Sequence, residues 1–255
     1  MIQNRHAPQK KENTQLRSLP AASDEPNTHW LTRAGVKDGI LLLGGSSLAH
    51  FRIRVAQSHL RQDLYPSFWS LAGLLRDGKH IETVPLGWKG DVSVIPSTNG
   101  VQTCEVEVYD DPQQYPNLAV IRFGELPATI GENIEKLKAQ RSIVDLPGLM
   151  APWLAFVWGV GQQGNPLLAG VGVPSAVFVE RVYAMANIEL TPGLSANASC
   201  PEAIWQTAKW WHQYYEKRVS PKGRSINIVP TGSYATRQRA AAVFDPEDKE
   251  YERHS

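Results

Sequence analysis

The chain is poor in the residues that would sort it quickly into a class. It has two cysteines in 255 residues, Cys104 and Cys200, far apart and without paired spacing. That excludes a disulfide framework and a cysteine zinc knuckle, and leaves two reduced thiols. No run of eighteen apolar residues exists, so no membrane span is expected. The N-terminus, Met1-Ile2-Gln3-Asn4-Arg5-His6, lacks the apolar segment and small-residue cleavage site of a secretory signal, which points to the cytoplasm. Charge of one sign is also missing: 26 Lys and Arg against 25 Asp and Glu give no field that would draw the chain to nucleic acid or to an anionic membrane. The seven histidines show no His-x-x-x-His spacing, so no metal site is expected. No cofactor is expected either. Gly159-Val160-Gly161-Gln162-Gln163-Gly164 fits a GxGxxG pattern, but the acidic residue about twenty positions on is missing and a proline-broken stretch precedes it. It reads as a loop.

What is present is apolar content of 42%, enough for one sizeable core. Residues 1–27 hold scarcely any large apolar side chain and predict a flexible leader. Residues 28–217 form the domain. From 218 on, mixed charge with a few anchors (Ile226, Ile228, Val229, Phe244) predicts a tail that is flexible or laid along a protein partner.

Within the domain, Gly39-Ile40-Leu41-Leu42-Leu43-Gly44 reads as a buried strand, and residues 48–61 as an amphipathic helix on which His50 and His59 take surface positions. Residues 68–75 and 79–85 form a strand pair turning at Asp77-Gly78. Residues 92–95, 104–108 and 119–123 read as further strands. Helices are predicted at 130–137 and 173–186, the second stopping at Asn187, and a last helix opens with the capping box Ser199-x-x-Glu202. The fold class is α+β, an antiparallel sheet flanked by helices.

The strand pair, the helix start Gly170-Val171-Gly172-Val173-Pro174-Ser175, and the phrase Ala184-Met185-Ala186-Asn187-Ile188-Glu189-Leu190-Thr191-Pro192-Gly193 resemble the circularly permuted papain-like hydrolases, the YiiX-like branch of the NlpC-type superfamily. The resemblance covers roughly residues 37–217 and implies a papain-like, permuted fold. In that family the first strand opens Ser-His-hydrophobic-Gly and the helix opens Cys-Ser. Here Leu71 stands at the histidine position and Ser175 at the cysteine position, so the resemblance implies an enzyme that has lost both base and nucleophile.

Three functional readings follow. The first is a catalytically silent relative that acts in binding or assembly, with the chain ends docking a protein partner. The second is an amide or ester hydrolase or acyltransferase in which Ser175 attacks, His80 takes its proton and Glu82 orients the imidazole. With Asp77-Gly78 as a two-residue turn, Leu75 pairs with His80 and Gly73 with Glu82, so Leu71, Gly73, Leu75, His80, Glu82 and Val84 share one face. That spacing leaves His80 about 13 Å along the strand from position 71. Ser175 also has a plainer use, a hydroxyl at a helix start bonding to backbone. The third reading is an unrelated structural component of a larger assembly. Trp69, Trp88 and Trp158 could line a groove for a small amide, lipid or peptide ligand, although tryptophans serve more often in cores.

Overall fold

The computed structural model describes residues 17–18, 24–86, 96–122, 127–159, 163–218 and 233–235, with side chains over 24–86, 97–122, 127–159 and 163–211. The expected strand at 92–95 and Trp88 lie outside them. The strands are β1 (Arg17–Ser18), β2 (Gly39–Gly44), β3 (Leu71–Arg76), β4 (His80–Thr83), β5 (Gln102–Glu105), β6 (Asn117–Ile121) and β7 (Ser233–Ala235). The helices are α1 (Asn27–Ala34), α2 (Leu48–Ala56), α3 (Ile130–Ala139), α4 (Leu146–Trp158), α5 (Pro174–Ala184) and α6 (Pro201–Arg218). Their arrangement is α+β. The sheet order is β1-β7-β6-β2-β3-β4-β5, and the five strands from β2 to β6 are all antiparallel to their neighbours.

β2 sits at the centre because its run of apolar residues can be buried on both faces, and all six of its residues are. Alternation then divides the sheet into two layers. Ile40, Leu42, Ala72, Leu74, Ala119 and Ile121 face a large core built with α2 to α6. Leu41, Leu43, Leu71, Leu75, Ile81, Leu118 and Val120 face a smaller one, covered by Trp30 and Leu31 of α1 and by Val106 and Tyr109. α1 is fixed from a distance: Asp110 Oδ1 accepts the Thr28 N–H at 2.8 Å, and Asn27 Nδ2 donates to the Tyr109 and Tyr115 carbonyls.

Several expectations need correction. The turn between β3 and β4 spans three residues instead of two, with Asp77 and Gly78 both at positive φ, 55° and 67°. The observed pairs are Arg76 with His80, Leu75 with Ile81, Leu74 with Glu82 and Gly73 with Thr83. One extra residue in the turn reverses the face of every β4 side chain, because the side-chain period is two. The helix expected at 48–61 stops at Ala56 and passes into a short 3-10 turn at Ser58–Leu60. The strand expected at 104–108 becomes β5 and then the 3-10 turn Val106–Tyr109. The Ser199–Glu202 capping box is not formed: Ser199 Oγ donates to Glu180 Oε1 at 3.0 Å, and the Glu202 carboxylate binds Ser67 and Gln206. α4 forms through a stretch that reads as proline-broken, since Pro147 lies in the first turn, where no amide donor is needed. Pro152 lies within the helix, which continues past it. Asn187 takes the left-handed conformation expected after α5, with φ 58°.

Candidate functional site

Ser175 lies in the first turn of α5, which packs across β3 with Ala176, Val177 and Val179 in the main core. Its side chain is 1% exposed and its Oγ accepts the Ala72 N–H at 3.2 Å. The neighbouring backbone explains why. β4 leaves the ladder after Thr83, so the next rung of β3 has no strand to pair with. Thr83 Oγ1 donates to the Ala72 carbonyl at 2.6 Å, and Ser175 takes the Ala72 amide. Two side chains thus finish a ladder that the backbone abandons, as buried backbone groups require. The plain expectation for Ser175, a bond to backbone, is what the geometry has, but the partner is a strand and not its own helix.

The other residues of the expected constellation are elsewhere. Leu71 points to the opposite face of the sheet, into the small core with Leu75 and Ile81, so a side chain at that position does not meet the α5 start. Glu82 does face the helices, as the three-residue turn dictates, but it is committed: its Oε2 accepts from Thr103 Oγ1 at 2.7 Å and pairs with Lys138 Nζ of α3 at 3.0 Å. Burial lowers the Lys138 pKa, but the bonds to Glu82 and Glu135 outweigh it and hold the ammonium above its ordinary range. Glu82 therefore anchors α3 to the sheet edge. His80 sits opposite Arg76, four residues along β3 from Ala72, about 13 Å away at the strand rise. Its Nε2 lies 3.2 Å from Glu105 Oε1 on the exposed side of the sheet edge. A general base has to come within hydrogen-bond reach of its nucleophile, and His80 does not.

Of the three tryptophans that suggested a groove, Trp88 lies outside the described residues, and the other two lie in different surroundings. Trp69 is a core residue, 3% exposed, stacked edge-on against Trp205 at 5.0 Å. Trp153 is buried and donates to the Gly172 carbonyl at 2.8 Å, while Trp158 lies 44% exposed at the end of α4. A shallow depression of about 670 Å³ lies instead beside α3, lined by Arg76, Glu132, Glu135, Lys136 and Gln140.

A dense buried polar region among the described residues was not marked by the sequence pattern. It joins α2, the segment from Arg61 to Ser70, and α6. Gln57 donates to the Ile53 and Trp69 carbonyls and accepts the Glu202 N–H at 2.9 Å. Glu202, fully buried, accepts from Ser67 Oγ at 2.6 Å and from Gln206, with the Arg61 guanidinium 3.7 Å away. Burial pushes its pKa up, against the pull of Arg61. Arg61 in turn is held by Asp63 through two bonds of 2.9 and 2.6 Å. Arg54, 2% exposed, donates to the Ser67 carbonyl at 2.6 Å and to the Gly45 carbonyl at 3.3 Å, and burial together with Arg61 lowers its pKa to about 10, so it stays charged. His50, expected at the surface, is 8% exposed, packed edge-on against Tyr115 at 5.6 Å. A Cβ at Gly45 would lie 2.3 Å from its ring, so a glycine at 45 is a packing requirement of this imidazole, while a Cβ at Gly44 would meet the Phe68 carbonyl instead. Burial, then the Arg54 charge, hold the His50 pKa down to about 4.

A serine hydroxyl donating to a carboxylate, as Ser67 does, is the beginning of an activated nucleophile. Here both residues are 0% exposed and Ser67 Oγ also accepts the Trp69 N–H at 3.0 Å, so the pair ties chain segments together. A second tie of this kind is Glu180, 3% exposed, which accepts from Thr191 at 2.6 Å and from Ser199. Cys200 lies beside it, fully buried, its thiol pushed up to about 12 by burial and so inert as a nucleophile. The signals were in the sequence as Ser-x-Trp-Ser, His-x-x-x-Arg and the glutamate of α6, but only their burial distinguishes them from surface polar residues. Among the described residues no group of three histidine, cysteine or carboxylate side chains is placed to hold a metal, and no helix is long and apolar enough to cross a membrane. No family model matches the chain, and neither a curated protein nor a solved structure does.

Proposed function

We propose that this protein acts by binding or assembly and performs no hydrolysis at Ser175, as a catalytically silent relative of the permuted papain-like hydrolases would. The observation that carries the reading is the commitment of the Ser175 hydroxyl: it is buried and accepts a strand amide at the point where β4 ends. A serine needs a base to take its proton, and His80 pairs with Glu105 while His50 is buried on α2. The strand pair with a helix start laid across it is the part of the family resemblance that supports kinship. The register that would bring position 71 to the serine is not part of that support. The two cysteines, Cys104 half-buried and Cys200 buried, are thiols and not a disulfide, in keeping with a reducing compartment such as the cytoplasm.

The test combines chemistry with stability. Serine- and cysteine-directed covalent probes should leave Ser175 unlabelled, and Ser175→Ala should lower stability by about 1–3 kcal/mol in urea denaturation by orphaning the buried Ala72 amide. Labelling that maps to Ser175 would end the proposal.

A further inference from the structure

Two stretches of the chain carry no carboxylate, residues 39–62 and 146–179, and the second has no charged residue of either sign. Folding brings parts of both together at the surface. α4 lays Leu146, Met150, Trp153 and Val157 into the main core. A helix at the surface of a domain ordinarily turns polar side chains outward. α4 instead exposes Gly148, Ala151 and Trp158, with Leu154, Ala155 and Phe156 half-buried. α2 is tied to the end of this helix, because the Arg52 guanidinium donates to the Val157 carbonyl and lies beside Gly159. Asn165 Nδ2 donates to the Ala56 carbonyl at 2.8 Å, which sets the short turn Pro166–Ala169 against the same end of α2. Three large apolar side chains therefore share one neighbourhood: Val55 at 41%, Trp158 at 44% and Leu168 at 71% exposure.

The chemistry of this face selects its partner. Arg54 is buried and Arg61 is held by Asp63, whereas Arg52 is half-buried and, among the described residues, pairs with no carboxylate. A specific protein interface carries about one hydrogen bond per 100–200 Å². Apart from the Trp158 indole, neither α4 nor the Pro166–Ala169 turn has a side chain at the surface to make one. A lipid surface asks for no directional bonds: it takes apolar side chains at its acyl boundary, an indole at headgroup level and a cation against anionic phosphates. We propose that this face is a membrane-contact surface that adsorbs to an anionic bilayer, with Val55, Trp158 and Leu168 inserted among the headgroups and Arg52 against phosphate. The chain as a whole is close to neutral, so the attraction is local. No span is involved, since α4 has thirteen residues where a crossing needs about 20. The contact depends on no property of Ser175, and labelling of that serine would leave it intact.

The test is co-sedimentation of the full chain, at low salt, with extruded vesicles of phosphatidylcholine alone and of phosphatidylcholine mixed equally with phosphatidylglycerol. The native chain should partition about fivefold better into the anionic vesicles, the worth of one basic residue near a charged surface. Leu168→Glu, at the most exposed of the three apolar positions, should lower that partition about tenfold while leaving the urea midpoint unchanged. Arg52→Gln should bring the two vesicle types to within about a factor of two of each other. Sedimentation with neither vesicle, equal partition of the native chain into both, or a Leu168→Glu variant that binds like the native chain would each overturn the proposal. A native chain that ignores both vesicles and self-associates, with Leu168→Glu monomeric, would assign the face to a protein partner and overturn it as well.

Discussion

At His50 the consequence of burial can be read as a dependence on pH. The imidazole is held against the Gly45 turn and beside the Arg54 guanidinium, and its folded pKa of about 4 lies below the ordinary 6.5. A depressed value means that the folded state binds the proton less well than the unfolded chain does. Stability from this residue is therefore complete above about pH 6.5, falls as the pH drops through the window, and is gone by about pH 4, a loss of about 3 kcal/mol from this group alone. Glu180 and Glu202 act in the opposite sense, because burial raises their pKa values and folding then favours their protonated forms. Comparing the native chain with His50→Phe separates the two effects: the variant should lose less urea stability than the native chain between pH 6.5 and 4, and equal slopes would show that the imidazole is not the titrating group.

The β3–β4 hairpin shows how a single turn residue decides which side chains face which layer. With Asp77, Gly78 and Lys79 all in the turn, Ile81 enters the small core and Glu82 reaches Lys138 of α3. Deleting Lys79 would give the two-residue turn that Asp-Gly favours while leaving Arg76 opposite His80, so every β4 side chain keeps its partner and its face. Glu82 stays on Lys138 and Ile81 stays in the small core. The expected result is a urea stability within about 1 kcal/mol of the native chain, since only the turn is shortened. A collapse of the urea midpoint would show that the three-residue turn itself holds the hairpin in register. Asp63 and Pro66 mark a stop for a helix expected to reach Arg61, but α2 ends earlier, at Ala56, and passes into a 3-10 turn. The capping box at Ser199 was legible too, and misleading, because Glu180 offered Ser199 a buried carboxylate that local sequence does not reveal.

On the scale of the whole molecule, the main core is closed by α6, and α6 is fastened by one carboxylate. Glu202 joins it to Ser67 and Arg61, while its own amide is taken by Gln57 of α2. Removing the carboxylate leaves the Ser67 and Gln206 donors and part of the Arg61 charge without their acceptor in a dry interior. Glu202→Ala should cost about 3–5 kcal/mol and Glu202→Gln, which keeps the shape, distinctly less. Both should unfold in one transition with an unchanged denaturant slope, whereas a second, earlier transition would show that α6 comes away by itself.

The apolar run of β2, the α+β class, most of the described strands and the helices at α2, α3, α5 and α6 were written in local pattern, since alternation and periodicity respond to the layer a residue must face. Tertiary structure decided what those patterns meant. It put Ser175 at the end of a ladder, Leu71 on the far side of the sheet, His50 in the interior and residues 233–235 beside β6. None of this could be read locally, because register and burial depend on segments tens to more than a hundred residues apart, and one residue more in a turn reverses a whole face.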